Sequence, residues 1–235
     1  MFRSFKKPEP LRVMFAGASG TGKTTLCNLM STSETPFISG SVSQLLPDTE
    51  KLKHEDMLSR DPEVLQREDY QVLNLRNKLY SQYTSFISDR SYVDSAAYFI
   101  YKQADKLPQC ELEQFIGLCQ MALAKQCTHL IFIPFTPVMF KEWVIEDNNK
   151  RILSKYFQTE ISYIMEMALK LMGYTRTAHH QDMVDNPFHL KLTHFSYGWD
   201  EGEINTIYGR TKVLTLLEPG LEERQRIIAK WLRKN

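Results

Sequence analysis

Near the start of the chain, Gly17-Ala18-Ser19-Gly20-Thr21-Gly22-Lys23-Thr24 matches the pattern GxxxxGK[ST] in full. The residue types dictate a chemistry. Glycines allow the backbone to curl until successive N–H groups converge on phosphate oxygens, and a following helix N-terminus adds the positive end of its dipole. Lys23 can reach the β- and γ-phosphates of a nucleoside triphosphate, and the Thr24 hydroxyl can ligate Mg²⁺. The expected nucleotide contacts are therefore Gly17, Ser19, Gly20, Thr21, Gly22, Lys23, Thr24 and Thr25. A glycine-rich turn that only joins a strand to a helix is the plainer alternative, but it needs no lysine followed by a hydroxyl residue.

A second reactive pair stands further on, in Ser85-Phe86-Ile87-Ser88-Asp89-Arg90-Ser91. A carboxylate at the end of a buried strand lies where open α/β sheets bind ligands. Asp89 there could hold Mg²⁺ or take the proton of an attacking hydroxyl, and Arg90 could neutralise phosphate charge during transfer. Capping of the next helix is the plainer role for both. The run lacks the Asp-Glu ending of a remodelling ATPase, and no NKxD-type tetrapeptide marks a GTPase.

These residues need a scaffold, and the apolar patterning supplies one. Leu11–Ala16, Pro36–Ser39, Thr84–Ser88, His129–Pro134 and Val213–Leu217 read as strands. Helices are expected over Lys23–Met30, Val64–Tyr83, Val93–Lys102, Leu112–Lys125, Ser154–Met172 (with Gly173 as C-cap) and Leu221–Arg233. The charged, Pro-punctuated stretch Asp48–Arg67 reads as exposed loop and short helix. Strands alternating with helices predict an α/β fold, a parallel sheet covered on both faces. Asp182–Arg210 interrupts the rhythm, and His189–Tyr197 within it reads as an extra strand or hairpin.

With both motifs in place, the chain resembles the P-loop nucleoside and nucleotide kinases, in particular the group containing ribosylnicotinamide kinase domains and phage-encoded relatives. Asp89-Arg90-Ser91, then Asp94 and Ala97-Tyr98, follows that group's pattern, as does the apolar strand ending Phe132-Ile133-Pro134. Trp143-Val144-Ile145-Glu146-Asp147-Asn148-Asn149-Lys150-Arg151 is similar to its lid segment, though Asn148 replaces a usual Gly and one residue is added before Arg151. The end of the chain, with Glu222-Glu223-Arg224, is similar to the group's last strand and helix.

The resemblance implies a three-layer P-loop kinase fold with a five-stranded parallel sheet, helices on both faces and a C-terminal decoration. It implies one domain over 1–235, with a core of 11–174 and 212–233, a lid at about 140–153 and an insertion at about 180–211. It further implies ATP and Mg²⁺ as cofactors, Lys23, Asp89, Arg90 and Arg151 as catalytic residues, and Lys150 as a further nucleotide contact. Either Lys150 or Arg151 would be the lid base. Thr24 and Asp89 would hold the metal. The group often places a carboxylate after the second strand; here Ile38-Ser39-Gly40-Ser41-Val42-Ser43 carries none. Either Asp89 is then the base, or the acceptor is a phosphate that needs little deprotonation, and the small residues leave room for a bulky acceptor. Tyr70, Tyr80, Tyr83 and Arg76 precede the Asp-Arg strand in a region that covers the acceptor in nucleotide kinases; core packing is the plainer role for each.

Composition narrows the partners. The 235 residues carry 29 Lys+Arg against 28 Asp+Glu, a balance that disfavours a long electrostatic footprint on nucleic acid. Cys27, Cys110, Cys119 and Cys127 have no CxxC spacing, so free thiols are expected in place of zinc or a disulfide framework. His179, His180, His189 and His194, and the aromatics Phe188, Phe195, Tyr197, Trp199 and Tyr208, lie close together in sequence; scattered histidines and hairpin packing account for them. No apolar segment is long enough to span a membrane and no signal-peptide core is present, which predicts a cytoplasmic protein. The expected activity is Mg²⁺-dependent transfer of the ATP γ-phosphate to a nucleoside or (deoxy)nucleoside monophosphate. Two rival readings stand beside it: phosphorylation of a hydroxymethylated pyrimidine within DNA, and a nucleotide-dependent switch or assembly ATPase. Oligomeric state is open.

Overall fold

After Arg12, Val13–Ala16 is apolar and buried without interruption, as a strand buried on both faces requires. In the computed structural model Arg12–Ala16 is β1. Residues 10–46, 60–135, 155–174, 178–179, 211–217 and 220–234 are described. β1 is flanked by β2 (Phe86–Ser88) and β3 (His129–Phe132), both parallel to it. β5 (Lys212–Thr215) follows β3, and β4 (Ala178–His179), two residues long, lies beyond it. The sheet order is β2-β1-β3-β5-β4.

Four of the five strands expected from the sequence form. Pro36–Ser39 does not; it makes one parallel bridge, Phe37 to Ile87, with Ile38 N–H donating to the Ile87 carbonyl at 2.8 Å. The reason lies in the sequence around it. Pro36 has no N–H to donate, and Gly40 ends the extended run after four residues. The short edge pairing at Ala178–His179 was not anticipated. The decoration expected at about 180–211 and the lid at about 140–153 fall outside the described residues.

The helices are α1 (Lys23–Met30), α2 (Val42–Leu45), α3 (Pro62–Tyr80), α4 (Tyr92–Gln103), α5 (Gln109–Gln126), α6 (Lys155–Leu171) and α7 (Leu221–Lys234). Local chemistry sets their starts. Asp61 caps α3 by accepting from Glu63 N–H at 2.8 Å, with Pro62 in the first turn. Ser91 and Asp94 form a reciprocal capping box at α4. Gly173, at φ 86°, closes α6.

Strand alternation sorts the core into two layers. Met14 and Ala16 of β1, with Leu130 and Phe132 of β3, face α3, α4, α5 and α6 through Leu73, Tyr80, Phe99, Phe115, Ile161 and Met165. Val13 and Phe15, with Ile131 and Ile133, face α1 and α7 through Leu26, Ile227, Ile228 and Trp231. Val13 to Ala16 are all 0% exposed. Each larger side chain in that row contributes roughly 1.5–3 kcal/mol of burial, which fixes the strand that delivers the glycine-rich loop.

Candidate functional site

The strand order reverses at β1: the chain leaves it through α1, and its two sheet neighbours lie on opposite sides. Open α/β sheets present their ligand crevice at such a point, outside the carboxyl ends of the strands. The loop 17–22 emerges there and feeds α1.

Two glycines are sterically required. At Gly17 (φ +155°) a Cβ would come within 2.5 Å of the Ile133 carbonyl oxygen and 3.0 Å of Thr21 Oγ1. Gly22, the residue before α1, is left-handed at φ 82° and ψ 12°, which turns the chain into the helix. Ser19 and Gly20 are half-buried on the loop, Thr21 is buried with its hydroxyl donating to the Ala18 carbonyl at 3.0 Å, and Thr25 is exposed on α1.

Lys23 folds back over the loop. Its Nζ donates to the Gly17 carbonyl at 2.6 Å and the Ala18 carbonyl at 2.7 Å, and the residue is only 5% exposed. Burial, followed by the nearby Arg90 guanidinium, lowers its pKa from 10.5 to about 7; Asp94 and Asp89 act in the opposite sense.

Asp89 lies directly after β2, buried. Its Oδ2 accepts a 2.7 Å hydrogen bond from Thr24 Oγ1, while Oδ1 is buried and has no hydrogen-bond partner. A hard cation prefers oxygen ligands, so a carboxylate with one bare oxygen beside a threonine hydroxyl fits Mg²⁺. The sequence assigned the metal to this same pair, 65 residues apart.

Arg90 is held from two sides. Its Nη1 contacts Asp94 Oδ1 at 3.3 Å, and Tyr98 shares a side-chain hydrogen bond with it. Asp94 is itself fixed through Oδ2 by Ser91 N–H at 3.0 Å and Ser91 Oγ at 2.7 Å. The capping box that starts α4 is thus also the mount for Arg90. The helix is capped by Ser91 and Asp94, and Arg90 is not its capping residue.

Among the small residues expected to leave room for an acceptor, Gly40 serves a different purpose. The space beside Gly40 is filled by the Tyr80 hydroxyl, with Arg90 Cβ 3.2 Å from where a Cβ would sit. At Gly40 the missing side chain makes room for the protein's own packing and not for an acceptor. Tyr80 OH shares a 2.6 Å hydrogen bond with Ser88 Oγ and donates to the Arg90 carbonyl at 2.9 Å; burial pushes its pKa up to about 12. Arg76, 2% exposed, donates to the Gly40 carbonyl at 2.8 Å, the Ser91 carbonyl at 3.1 Å and Ser95 Oγ. Arg76 and Tyr80 are therefore struts behind the site, Tyr70 packs edge-on against Phe99 and Phe115, and Tyr83 is exposed.

One contact lay outside the sequence reading. Arg224, in the first turn of α7 and wholly buried, donates from Nη1 to the Thr21 carbonyl at 2.7 Å. The sequence placed it in a closing helix but gave it no role at the loop. Lys150 and Arg151 lie outside the described residues. A separate groove of about 450 Å³ between α3 and α5, bordered by Tyr70, Asn74, Lys78, Met121 and Lys125, is lined by none of the loop residues. No helix among the described residues is long and apolar enough to cross a membrane.

Comparisons with known proteins agree with this geometry. A family model described as AAA domain matches residues 12–183. A solved deoxyadenosine kinase from M. mycoides, with dCMP and dCDP bound, superposes with a TM-score of 0.54 at 12% identity, covering 96% of this chain and 100% of that one. At such identity the likeness is one of fold. Weaker similarities are to a NadR protein in complex with NR (TM-score 0.43, 16% identity, 70% of this chain and 44% of that one) and to thymidylate kinase from Candida albicans (TM-score 0.47, 13% identity, 98% and 94%). No curated protein matches the chain.

Proposed function

Because the chain belongs to the AAA-domain family and shares its fold with a nucleoside kinase, we propose that it is an ATP-dependent phosphotransferase. Its acceptor is a nucleoside or (deoxy)nucleoside monophosphate. The observation that carries this reading is the Thr24–Asp89 hydrogen bond of 2.7 Å, with the second Asp89 oxygen bare, at the mouth of a phosphate-binding loop and next to Arg90.

The residues divide the work. Loop N–H groups and the α1 N-terminus bind the triphosphate. Lys23 exchanges the Gly17 and Ala18 carbonyls for phosphate oxygens, moving its charge onto the transferring group. Thr24 and Asp89 would hold Mg²⁺, which when bound neutralises charge on the β- and γ-phosphates. Arg90, aimed by Asp94 and Tyr98, stabilises the negative charge of the transition state. The acceptor oxygen bonds to the γ-phosphorus as the bond to the β,γ-bridging oxygen breaks and ADP leaves; a hydroxyl acceptor gives up its proton to water, whereas an ionised phosphate acceptor has none to lose. Asp89 is committed to Thr24, which favours its metal role over that of general base. Lys150 or Arg151, if the lid expected from the sequence forms, would add a third cation at the transferring phosphate.

The test offers γ-labelled ATP and Mg²⁺ with nucleosides, nucleoside monophosphates, and plain or hydroxymethylated DNA in parallel. Label is expected on a nucleoside or nucleotide. Release of label solely as free phosphate would refute the kinase reading in favour of a switch or assembly ATPase, and label on DNA alone would identify a base in DNA as the acceptor.

A further inference from the structure

A phosphate-binding loop works only if its N–H groups point inward, and each N–H is oriented by the carbonyl on the other side of its peptide plane. In a planar trans peptide the C=O and N–H vectors are antiparallel. No cis peptide occurs among the described residues, so the Thr21–Gly22 plane is trans. Whatever holds the Thr21 carbonyl on one side aims the Gly22 N–H to the other. In this chain the holder is Arg224 Nη1, at 2.7 Å, from a residue 203 positions away.

The environment makes that contact more than incidental. Arg224 is 0% exposed, and a guanidinium is costly to bury unless its hydrogen bonds are well made. It occupies the buried stripe of α7 that continues as Ile227, Ile228 and Trp231, where an aliphatic side chain would pack without that cost. Its helix is anchored locally by Arg224 N–H donating to the Gly220 carbonyl at 3.0 Å. On the loop side, Gly22 stands at φ 82°, a left-handed conformation that glycine takes without a Cβ penalty.

We propose that Arg224 is a positioning residue for phosphate binding, which fixes the Thr21–Gly22 peptide so that the Gly22 N–H faces the phosphate of a bound nucleotide. The inference rests on the nucleotide-binding reading of the loop. Arg224 touches no reacting atom in this scheme. It sets a donor in advance, so that ligand binding costs less reorganisation.

The experiment uses the full chain, uniformly ¹⁵N-labelled, and inorganic pyrophosphate as the probe, with ATP affinity measured separately by calorimetry. In the wild type the Gly22 amide proton is expected to move strongly downfield on titration. Arg224→Met should remove most of that displacement and weaken ATP binding about tenfold, the loss of one charge-assisted contact. Arg224→Lys, which keeps most of the reach and a cationic donor, should retain the Gly22 displacement and bind ATP within about threefold of wild type. A folded Arg224→Met with the wild-type Gly22 response and ATP affinity would overturn the proposal. If Arg224→Met does not fold, Arg224→Gln, whose amide ends about two bonds short of the Thr21 carbonyl, decides: a wild-type Gly22 response and ATP affinity in that folded variant would also overturn it. A wild-type chain that binds neither pyrophosphate nor ATP defeats the nucleotide reading itself, an outcome distinct from any variant result.

Discussion

Lys23 makes nucleotide affinity depend on pH in an unusual direction and window. In the folded chain its pKa is lowered from 10.5 to about 7 by burial, followed by Arg90, against the raising influence of Asp94, Asp89 and Cys27. That displacement corresponds to about 5 kcal/mol between charged and neutral forms. A triphosphate brings several negative charges against Nζ and restores the ammonium, so binding above neutrality takes up a proton. The protonated fraction of free Lys23 is about 24% at pH 7.5 and about 1% at pH 9. The apparent Kd for ATP should therefore rise roughly twenty-fold between those values, a range over which the nucleotide's own terminal phosphate is already ionised. Stability has the opposite sign. Between pH 7 and 10.5 the unfolded chain binds more protons at this lysine than the folded one, so this contribution to folding becomes more favourable as pH rises through that window. The assay is calorimetry at pH 8 in two buffers of different ionisation enthalpy, with uptake of about 0.9 proton expected per ATP bound. A Kd that is flat from pH 7.5 to 9, with no buffer dependence, would refute the argument; Lys23 would then already be charged in the empty loop.

The remaining expectations concern the residues around that lysine. Asp89→Asn removes the charge opposite Thr24 and should lower kcat by about 100-fold or more while shifting the Mg²⁺ requirement upward, measured by labelled phosphoryl transfer across a metal titration. Arg76→Met leaves the Gly40 and Ser91 carbonyls without their guanidinium and should cost about 3–4 kcal/mol. For a chain of this length that is a Tm lower by about 6–8 °C, read by calorimetry. Gly40→Ala drives a methyl into the Tyr80 hydroxyl and should destabilise by about 1–3 kcal/mol. Tyr80→Phe in the same chain should recover part of that loss, and strictly additive effects in the double-mutant cycle would contradict the packing described.

The two motifs were legible because their chemistry is local. Gly17–Thr24 and Asp89–Arg90 each declare their residue types in one unbroken run, and the strand that delivers each is buried and mostly apolar. The helix starts at Pro62 and Tyr92 lie within two residues of those expected at Val64 and Val93, and Gly173 closes α6 as its residue type announced. Reasoning failed where function depends on contacts remote in sequence. Pro36–Ser39 has the composition of a strand, but only pairing across the sheet decides whether it becomes one, and a single bridge forms. The smallness of Gly40 is an accommodation to Tyr80, 40 residues later, which no local pattern records. Arg224 did leave a trace: it stands where the 3–4 spacing of Ile227, Ile228 and Trp231 calls for an apolar residue. A charge at a core position indicates a buried partner without naming it.

The reach of Arg224 to Thr21 also has a consequence for biosynthesis. The glycine-rich loop leaves the ribosome well before its anchor, which is translated 203 residues later. At about 5–20 residues per second the loop waits roughly 10–40 s before it can be held. Every neighbouring strand pair is likewise separated by intervening chain, so β1 can acquire β2 early but β3 and β5 only in turn. Nascent chains that have not yet acquired α7 should therefore hold nucleotide weakly, and tight binding becomes a signal that synthesis has passed that helix.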